Sequence, residues 1–334
     1  MQDPSFSVKR LPREPHVTLA LVSYNSVDYI EEATVSVLNQ DYSEIALLLS
    51  DDGSTDSTFQ RMFATARKLG AGRPLKILRR EPNLGLASHV NEIFSQASGD
   101  IIIFAAGDDV SLPHRVRETI KAFLQFPNAM AVSFTDDVIN AQSEIIQSAP
   151  PGGSVQVLTL QSLFVEPNKH PSGASRAYRK EVFHQFGPLD INCPTEDTPL
   201  MLRSLMLGDI VTCAFPAIQY RRHSGSLTGG SRYLGMNLEV IRNQQLRDLT
   251  YALKMHFIDS ATFSRIQKWV WLRYFYLSLT RRSSAIDLKP LLRLCVSLVS
   301  RELSCRDKSL LFRQVVSTYI HRVVGRRRTR VVSP

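Results

Sequence analysis

Three polar clusters in the sequence stand directly after short apolar runs. They are "SYN" at 23–25, "DDGSTD" at 51–56 and "GDD" at 107–109. In the third cluster, Asp108 and Asp109 offer the hard oxygen ligands that Mg²⁺ or Mn²⁺ prefers, and such an ion is commonly shared with a substrate phosphate. A turn whose aspartates cap the next helix is the alternative interpretation.

The first two clusters suit the nucleoside part of a ligand. An ionised carboxylate only accepts hydrogen bonds, so Asp51 and Asp52 match the N–H and O–H donors of a base and a ribose. Tyr24 can stack on a nucleobase, and Ser23 and Asn25 flank it. Ordinary turn chemistry accounts for the same residues.

A further anion position lies at the start of a predicted helix. Asn83 and Gly85 precede an amphipathic stretch, and the free N–H groups of a helix N-terminus attract negative charge. A simple helix cap explains both residues as well. The sequence leaves ligand and cap open here.

The second half of the chain carries an acidic pair and a basic loop. "PTED" places Glu196 and Asp197 at a helix entrance, where a carboxylate can act as a general base or simply favour the helix dipole. "YRRHSGS" presents Arg221, Arg222 and His223 on a Gly/Ser loop. Such a loop is either a cradle for a diphosphate or a solvated basic surface.

Apolar runs alternate with helical patterns through the first part of the chain. The runs indicate strands buried on both faces, and they are Val17 to Val22, Ile45 to Ser50, Leu75 to Leu78, Ile101 to Ala105 and Ala129 to Phe134. The helical patterns are Val27 to Asn39, Thr55 to Leu69, Leu86 to Ala97 and Pro113 to Phe126. This alternation predicts an α/β fold with a mainly parallel, Rossmann-like sheet flanked by helices. Ligands of such sheets bind beyond the carboxyl ends of the strands, so we expect the polar clusters to share one edge.

Composition sets the limits of the second half. Residues 140–170 are rich in Pro, Gly and Ser and indicate a loop-bearing insertion, from Ser172 strand character weakens, and from Leu234 the pattern is helical. We therefore expect an N-terminal lead, a large α/β domain in two halves, and a basic helical C-terminal region. Their bounds are 1–15, 16–232 (halves 16–137 and 138–232) and 233–334.

Cysteine usage and hydropathy bear on the compartment. The 4 cysteines form no C-x-x-C pair, so neither a zinc site nor a disulfide framework is indicated. The run Val17 to Val22 is too short for a signal peptide, and no apolar stretch is long enough to cross a membrane. We expect a cytoplasmic protein.

The excess positive charge lies in the last fifth of the chain. Residues 265–334 hold 16 of the 40 Lys and Arg but only 3 of the 31 Asp and Glu. From Phe312 to Val324 apolar residues recur at helical spacing, and "GRRRTR" follows. An apolar stripe edged with arginines suits an anionic membrane surface, although packing on the catalytic domain is the alternative.

Taken together, the motifs closely resemble glycosyltransferase family two, the inverting nucleotide-sugar enzymes with the GT-A fold. The resemblance covers about residues 15–228, and the enzymes that the chain resembles are of the type that builds bacterial cell-surface polysaccharide such as O-antigen. It implies a catalytic domain whose first half, 16–137, binds the nucleotide-sugar and whose second half, 138–232, binds the acceptor. It is carried, in order, by "VTLALVSYNSVDYIEEATVSVLNQDYS", "LLLSDDGSTDST", "NLGLASHVNEIFSQASGDIIIFAAGDD", "PTED" and "RRHSGS".

The resemblance assigns roles to the clusters. It implies that Tyr24 and Asp52 contact the nucleoside, that Asp108 and Asp109 form the D-x-D-type site for Mn²⁺ or Mg²⁺ and the diphosphate, and that Asp197 is the catalytic base. The remaining expected ligands are listed here: Ser23, Asn25, Asp51, Asn83, Gly85 and Arg222 for the nucleotide-sugar, and His223 for the metal. Two positions depart from the family pattern, since Val22 replaces a threonine and Ser26 a lysine found in some relatives.

The expected reaction is transfer of one sugar or a short run of sugars. The Q-x-x-R-W box of processive synthases is absent from the sequence. The resemblance implies a nucleotide-sugar donor, with a UDP-sugar favoured, and a glycan or lipid-linked acceptor reached at the inner face of the cytoplasmic membrane. An inactive nucleotide-sugar-binding scaffold is the alternative. Nucleic acid is not expected as a partner, because the strand-end motifs lie on the acidic portion of the chain and no aromatic-basic platform appears.

Overall fold

The apolar runs form the centre of a mixed sheet. The computed structural model describes residues 8–70, 72–165, 171–226 and 235–281, and within them ten strands form one sheet. The strands are β1 Val17–Ser23, β2 Ile45–Asp51, β3 Leu75–Arg79, β4 Ile101–Ala106, β5 Val110–Ser111, β6 Ala129–Ile139, β7 Ile145–Gln147, β8 Gln156–Leu158, β9 Ala177–Arg179 and β10 Asp209–Arg221. Their order is β3-β2-β1-β4-β9-β6-β10-β5, with β7 beside β6 and β8 beside β10.

The helices of the first half connect parallel strands. The described helices are α1 Ile30–Leu38, α2 Thr58–Leu69, α3 Leu86–Gln96, α4 Arg115–Gln125, α5 Ser162–Val165, α6 Glu181–His184, α7 Asp197–Leu207, α8 Leu238–Lys254 and α9 Ser260–Arg281. Strands β1, β2, β3 and β4 are parallel, β9 runs antiparallel between β4 and β6, and β6 is parallel to β10. The predicted Rossmann-like α/β sheet is therefore confirmed.

Burial explains why the first strands show no alternation of polar and apolar residues. Leu19, Ala20 and Leu21 are all 0% exposed, so both faces of β1 are covered. By contrast, α2 buries only one stripe, Thr58, Met62 and Ala66, which recur at every fourth position.

Five arginines lie inside the protein. Arg115, Arg176, Arg179, Arg203 and Arg221 are each no more than 2% exposed. Each donates to at least one backbone carbonyl oxygen, which compensates for part of the cost of removing the guanidinium from water. Arg203 also forms a two-point ion pair with Asp248 of α8, at 2.8 and 2.9 Å.

The second half contains more strand than the sequence suggested. β10 extends over 13 residues, and register irregularities around Pro216 disguise it in the sequence. The stretch predicted as a loop-bearing insertion includes β7, β8 and α5. α2 begins at Thr58 and not at the predicted Thr55, because the Asp56 carboxylate accepts from the Thr58 N–H at 2.9 Å and keeps the preceding residues in a turn.

Contact density divides the chain into two compact units, Met1–Arg265 and Ile266–Pro334. The sheet belongs to the first unit, and of the second the structure describes one stretch of α9. In the part of the chain that the structure describes, no helix has the length and apolarity needed to cross a bilayer. The predicted boundary at residue 232 and the predicted membrane-binding stretch near the C-terminus lie outside the described residues.

Candidate active site

The carboxyl ends of three neighbouring strands meet at one edge of the sheet. In the register of β1 with β2, Ser23 stands beside Asp51, and in that of β1 with β4, Val22 stands beside Ala106. Gly107 follows β4, and a Cβ there would lie 2.8 Å from the Ser23 Cβ, so only glycine allows this close approach. The structure thus brings the three predicted clusters together at the point where strand order reverses, as expected for a doubly wound sheet.

Asp51 holds the turn that follows β2. One carboxylate oxygen accepts from the Ser54 N–H at 2.9 Å, and the other accepts from the Ser54 hydroxyl. The Ser23 hydroxyl lies 3.4 Å from Asp51 and also donates to the Ser50 carbonyl oxygen. Asp51 and Ser23 are both buried, and they hold the backbone of the turn beside the site.

Asp52 binds the backbone just before α3. Its carboxylate accepts from the backbone N–H groups of Leu84 at 3.3 Å and Gly85 at 3.1 Å. The Asn83 side-chain oxygen accepts from the same Gly85 N–H at 3.0 Å. Burial raises the pKa of Asp52, while these N–H groups and the Arg80 guanidinium favour its charged form. Asp52 thus binds N–H groups that precede the helix, and the anion position at the first turn of α3 stays a prediction.

Tyr24 and Asn25 form a turn tied to the neighbouring loop. Asn25 adopts a left-handed φ of 48°, its N–H donates to the Ser54 hydroxyl at 2.8 Å, and its side-chain oxygen accepts from the Thr55 N–H at 2.9 Å. These contacts fix the backbone and leave the Tyr24 ring 48% exposed at the rim. A fixed, exposed ring is suited to stacking on a nucleobase.

Asp108 and His223 meet although they are far apart in the sequence. The Asp108 Oδ2 lies 3.1 Å from the His223 Nε2, and both side chains are partly exposed. The His223 Nδ1 accepts from the Gly225 N–H at 3.2 Å, which places the ring proton of the neutral form on Nε2. The Tyr29 ring packs on the imidazole with centroids 4.7 Å apart.

Asp109 faces inward, toward β10. Its Oδ1 accepts from the Arg221 N–H at 2.8 Å, and burial raises the pKa of Asp109 well above its ordinary value, with the neighbouring Asp108 charge adding to the effect. The Arg221 guanidinium donates to the Asp108 carbonyl oxygen at 2.7 Å and to Glu32 at 2.6 Å. The expectation that Arg221 belongs to an open diphosphate loop is wrong, because it ends β10 and is buried. Arg222, next in the chain, is exposed.

The acidic pair occupies the start of α7, as the sequence predicts. Glu196 is the N-cap residue and Asp197 the first helical residue. The Asp197 Oδ1 accepts from the Thr195 hydroxyl and, at 3.1 Å, from the Thr198 hydroxyl. Burial alone would raise the pKa of Asp197, but the Arg176 guanidinium and these hydroxyls outweigh it and hold the pKa below its ordinary value. Burial and the adjacent Asp197 raise the pKa of Glu196 to about 7.

A line of charged side chains, buried or partly buried, extends from Asp109 to Asp197. Arg115 acts on Asp109 and on Asp136 of β6, and Arg176 acts on Asp136 and on Asp197. Sequence reasoning missed Arg115, Asp136 and Arg176. The available signal was a charged side chain within or beside an apolar strand, which is rare unless the charge is paired.

Comparison with known proteins identifies the family of the chain. Residues 18–187, just over half of the chain, match the family model described as Glycosyl transferase family 2. An uncharacterized glycosyltransferase of Nostoc sp. is 27% identical over 218 residues, covering 63% of this chain and 66% of that protein. The O-antigen biosynthesis protein RfbC of Myxococcus xanthus is 30% identical over 146 residues, 43% of this chain and 11% of that protein. The chain thus spans less than two thirds of either relative.

A solved structure shares the fold. Residues 1–349 of S. aureus TarS in complex with UDP-GlcNAc align with a TM-score of 0.63 at 16% identity, covering 91% of this chain and 89% of that chain. This similarity confirms the predicted GT-A architecture.

Proposed function

The chain belongs to glycosyl transferase family 2, and on that premise we propose that it transfers one sugar from a nucleotide-sugar donor, a UDP-sugar, to an acceptor hydroxyl with inversion. The observation that carries the proposal is the meeting of Asp108 and His223 within 3.1 Å at the carboxyl edge of the sheet. A carboxylate oxygen of Asp108 and a ring nitrogen of His223 lie close together there, and both atom types can ligate a metal ion. Tyr24 lies at the end of the neighbouring strand β1.

Asp197 is the proton acceptor in the proposed reaction. The acceptor oxygen attacks the anomeric carbon from the face opposite the leaving group, its proton passes to the Asp197 carboxylate, and the bond from the anomeric carbon to the diphosphate oxygen breaks. The lowered pKa of Asp197 keeps this carboxylate ionised and ready to accept a proton at neutral pH. Glu196, with its pKa raised to about 7, is protonated in part of the molecules.

The donor set of the site fits a divalent cation shared with the substrate. Asp108 would hold Mn²⁺ or Mg²⁺, and His223 would join it through Nε2 once the ring proton has moved to Nδ1 and the Gly225 N–H contact has been released. In the described residues no group of three or more His, Cys, Asp or Glu side chains forms a protein-only site. Diphosphate oxygens and water would therefore supply the other ligands, as is usual for Mg²⁺. When bound, the ion neutralises charge on the departing diphosphate. We also propose that the exposed Arg222 side chain contacts the same group.

Nucleotide-dependent thermal stability tests the donor site. We expect one of UDP, GDP, dTDP or CMP, with UDP favoured, to raise the melting temperature, and Mn²⁺ to enhance the rise. Asp108→Ala should abolish the enhancement by Mn²⁺. Asp108 is a cleaner target than Asp109, because removing Asp109 would leave the buried Arg221 N–H without its acceptor. Absence of any stabilisation would overturn the proposal.

Asp197→Asn separates catalysis from binding. The amide is isosteric and keeps an oxygen for the Thr195 and Thr198 hydroxyls, but it cannot take the proton. We expect this variant to retain the nucleotide-dependent thermal shift and to lose transfer. Near-normal turnover in Asp197→Asn would show that another group is the base.

We propose a glycan or lipid-linked acceptor of cell-surface polysaccharide synthesis. The name of the Myxococcus relative, an O-antigen biosynthesis protein, supports this context, and the basic C-terminal sequence suits an anionic membrane surface. Sedimentation with anionic vesicles at low salt tests the membrane contact. The intact chain should sediment, and the chain without residues 309–334 should not.

A further inference from the structure

Arg176 contacts the segment that carries the proposed base without being part of the reacting set. We propose that Arg176 is a positioning residue for the reaction, which fixes the first turn of α7 and makes Asp197, not Glu196, the carboxylate that accepts the proton. The inference rests on the proposed function above, and it assigns a task to a residue that no sequence motif indicated.

The Arg176 guanidinium joins two chain segments. Its Nη1 donates to the Asp197 carbonyl oxygen at 2.6 Å, and its Nη2 donates to the Pro171 carbonyl oxygen at 2.6 Å. The side chain is 2% exposed, so water does not compete for these bonds. A planar fork spans two carbonyls at once, which a lysine ammonium on a flexible stem does not reproduce.

The segment on the far side of Arg176 is itself anchored to β6. The Ser133 hydroxyl donates to the Ser172 carbonyl oxygen at 3.1 Å, and the Ser175 hydroxyl donates to the Phe134 carbonyl oxygen at 2.9 Å. Gly173 lies in this segment, and a Cβ there would lie 2.6 Å from the Asp197 Oδ2. Arg176 therefore ties the base to a fixed strand through a short path.

Charge distinguishes the two neighbouring acids. The charged or titratable groups that act on Asp197 and Arg176 are Glu196 at the start of α7, Tyr178 of β9 and Asp136 of β6. Arg176 is the largest influence that favours the ionised form of Asp197. For Glu196, burial and the Asp197 charge outweigh the same cation, so the two carboxyls do not titrate alike.

Arg179, the last residue of β9, provides a matched control three residues after Arg176. It is 1% exposed and donates to three backbone carbonyls, those of Lys9, Pro127 and Ala129, at 2.6 to 2.8 Å. The acids that act on it are Glu181 and Asp100, not the acidic pair of α7. Replacing Arg179 removes a guanidinium that is buried to a similar degree and donates to three backbone carbonyls, against two for Arg176, and it does so away from the acidic pair of α7.

The test compares pH profiles of kcat/KM for Arg176→Gln, Arg176→Lys and Arg179→Gln with that of the wild-type protein. Loss of the cation disfavours ionised Asp197, so the acid limb of Arg176→Gln should move to higher pH. For each protein we compare kcat/KM at pH 5.5 with its own plateau value, and we expect this ratio to be roughly tenfold lower in Arg176→Gln than in the wild type. Arg176→Lys should keep the wild-type limb with a lower plateau, and Arg179→Gln should keep the limb while its melting temperature falls.

A second measurement does not depend on turnover. The ¹³C carboxyl resonance of Asp197, identified by its disappearance in Asp197→Asn, should titrate at higher pH in Arg176→Gln and stay near the wild-type position in Arg176→Lys. If no donor is turned over but this titration shifts, the proposed function fails, and only the electrostatic effect of Arg176 on Asp197 is established. A profile and a titration of Arg176→Gln that superimpose on the wild type after scaling would overturn the assignment. If Arg176→Gln does not fold, a titration of Arg176→Lys displaced to higher pH would overturn it.

Discussion

Gly173→Ala should impair catalysis by adding a single methyl group. A Cβ at residue 173 would lie 2.6 Å from the Asp197 Oδ2, 3.1 Å from its Cβ and 3.2 Å from its Cγ. Ordinary contact begins at 3.4 Å, so the carboxylate must move by about 0.8 Å or the segment of residue 173 must retreat by a similar amount. The hydrogen bonds of Ser133 and Ser175 to this segment resist its retreat.

The size of the loss follows from the displacement. A misplacement of about 1 Å costs on the order of 10²-fold in rate, which corresponds to about 2.7 kcal/mol of activation free energy. We therefore expect kcat of Gly173→Ala to fall between roughly tenfold and a hundredfold. In the proposed function the donor is held by residues at the ends of β1, β2 and β4, so the dissociation constant of the nucleotide should stay within about twofold.

The assay measures release of nucleoside diphosphate under saturating donor, with calorimetric titration for nucleotide affinity. Gly235→Ala is the control, because a Cβ at residue 235 meets no atom of the described residues within 4 Å. Gly235→Ala should match the wild-type protein in both measurements. A Gly173→Ala enzyme with kcat within twofold of the wild type would refute the contact between residue 173 and the base, and parallel losses in kcat and nucleotide affinity would show that the damage is not confined to Asp197.

Three further predictions concern stability and binding. Asp248→Asn leaves the buried Arg203 without its anion, so the free energy of unfolding, measured by urea denaturation, should fall by about 3–5 kcal/mol. Loss of the exposed Arg247, which pairs with Asp190, should lower it by under about 1 kcal/mol. Tyr24→Ala should weaken nucleotide binding by roughly 1–3 kcal/mol in calorimetry without altering the melting temperature of the free protein, since the ring is 48% exposed; unchanged affinity would exclude stacking. Burial lowers the pKa of His89 to about 4, so the stability that neutral His89 contributes is present above its unfolded pKa and is lost as pH falls from about 6.5 to 4. In His89→Gln the loss of unfolding free energy over this pH range should be smaller by on the order of 3 kcal/mol. An unfolding free energy with the same pH dependence in variant and wild type would contradict the assignment.

Most of the first half of the fold could be predicted because its signals are local. Strands buried on both faces appear as continuous apolar runs, and β1 to β4 begin at the predicted residues. The shared edge follows from parallel strand order, which brought Ser23, Asp51 and Gly107 together as expected. In the second half, β10 combines polar residues with Pro216 and irregular register, so its length was not apparent.

The roles of individual carboxylates depend on contacts that the sequence does not contain. Asp51 and Asp52 read as a pair, yet one holds its own turn and the other binds the N–H groups before α3. Asp108 and Asp109 also read as a pair, but the first faces His223 and the second faces the backbone of Arg221. Which oxygen meets which donor is decided by packing between distant elements. Their contacts with substrate stay predictions.

The buried arginines have a consequence for how this sequence tolerates variation. A deep mutational scan usually scores arginine-to-lysine changes among the mildest, because charge and length are preserved. The guanidinium donates to two or more acceptors, at least one of them a backbone carbonyl, at Arg115, Arg176, Arg179, Arg203 and Arg221. No lysine can reach such a set together, so lysine should be depleted there nearly as strongly as a neutral residue. Exposed arginines such as Arg222 should accept lysine freely, apart from any loss in donor binding. Substitution tolerance would thus distinguish arginines that serve the architecture from those that face ligand or solvent.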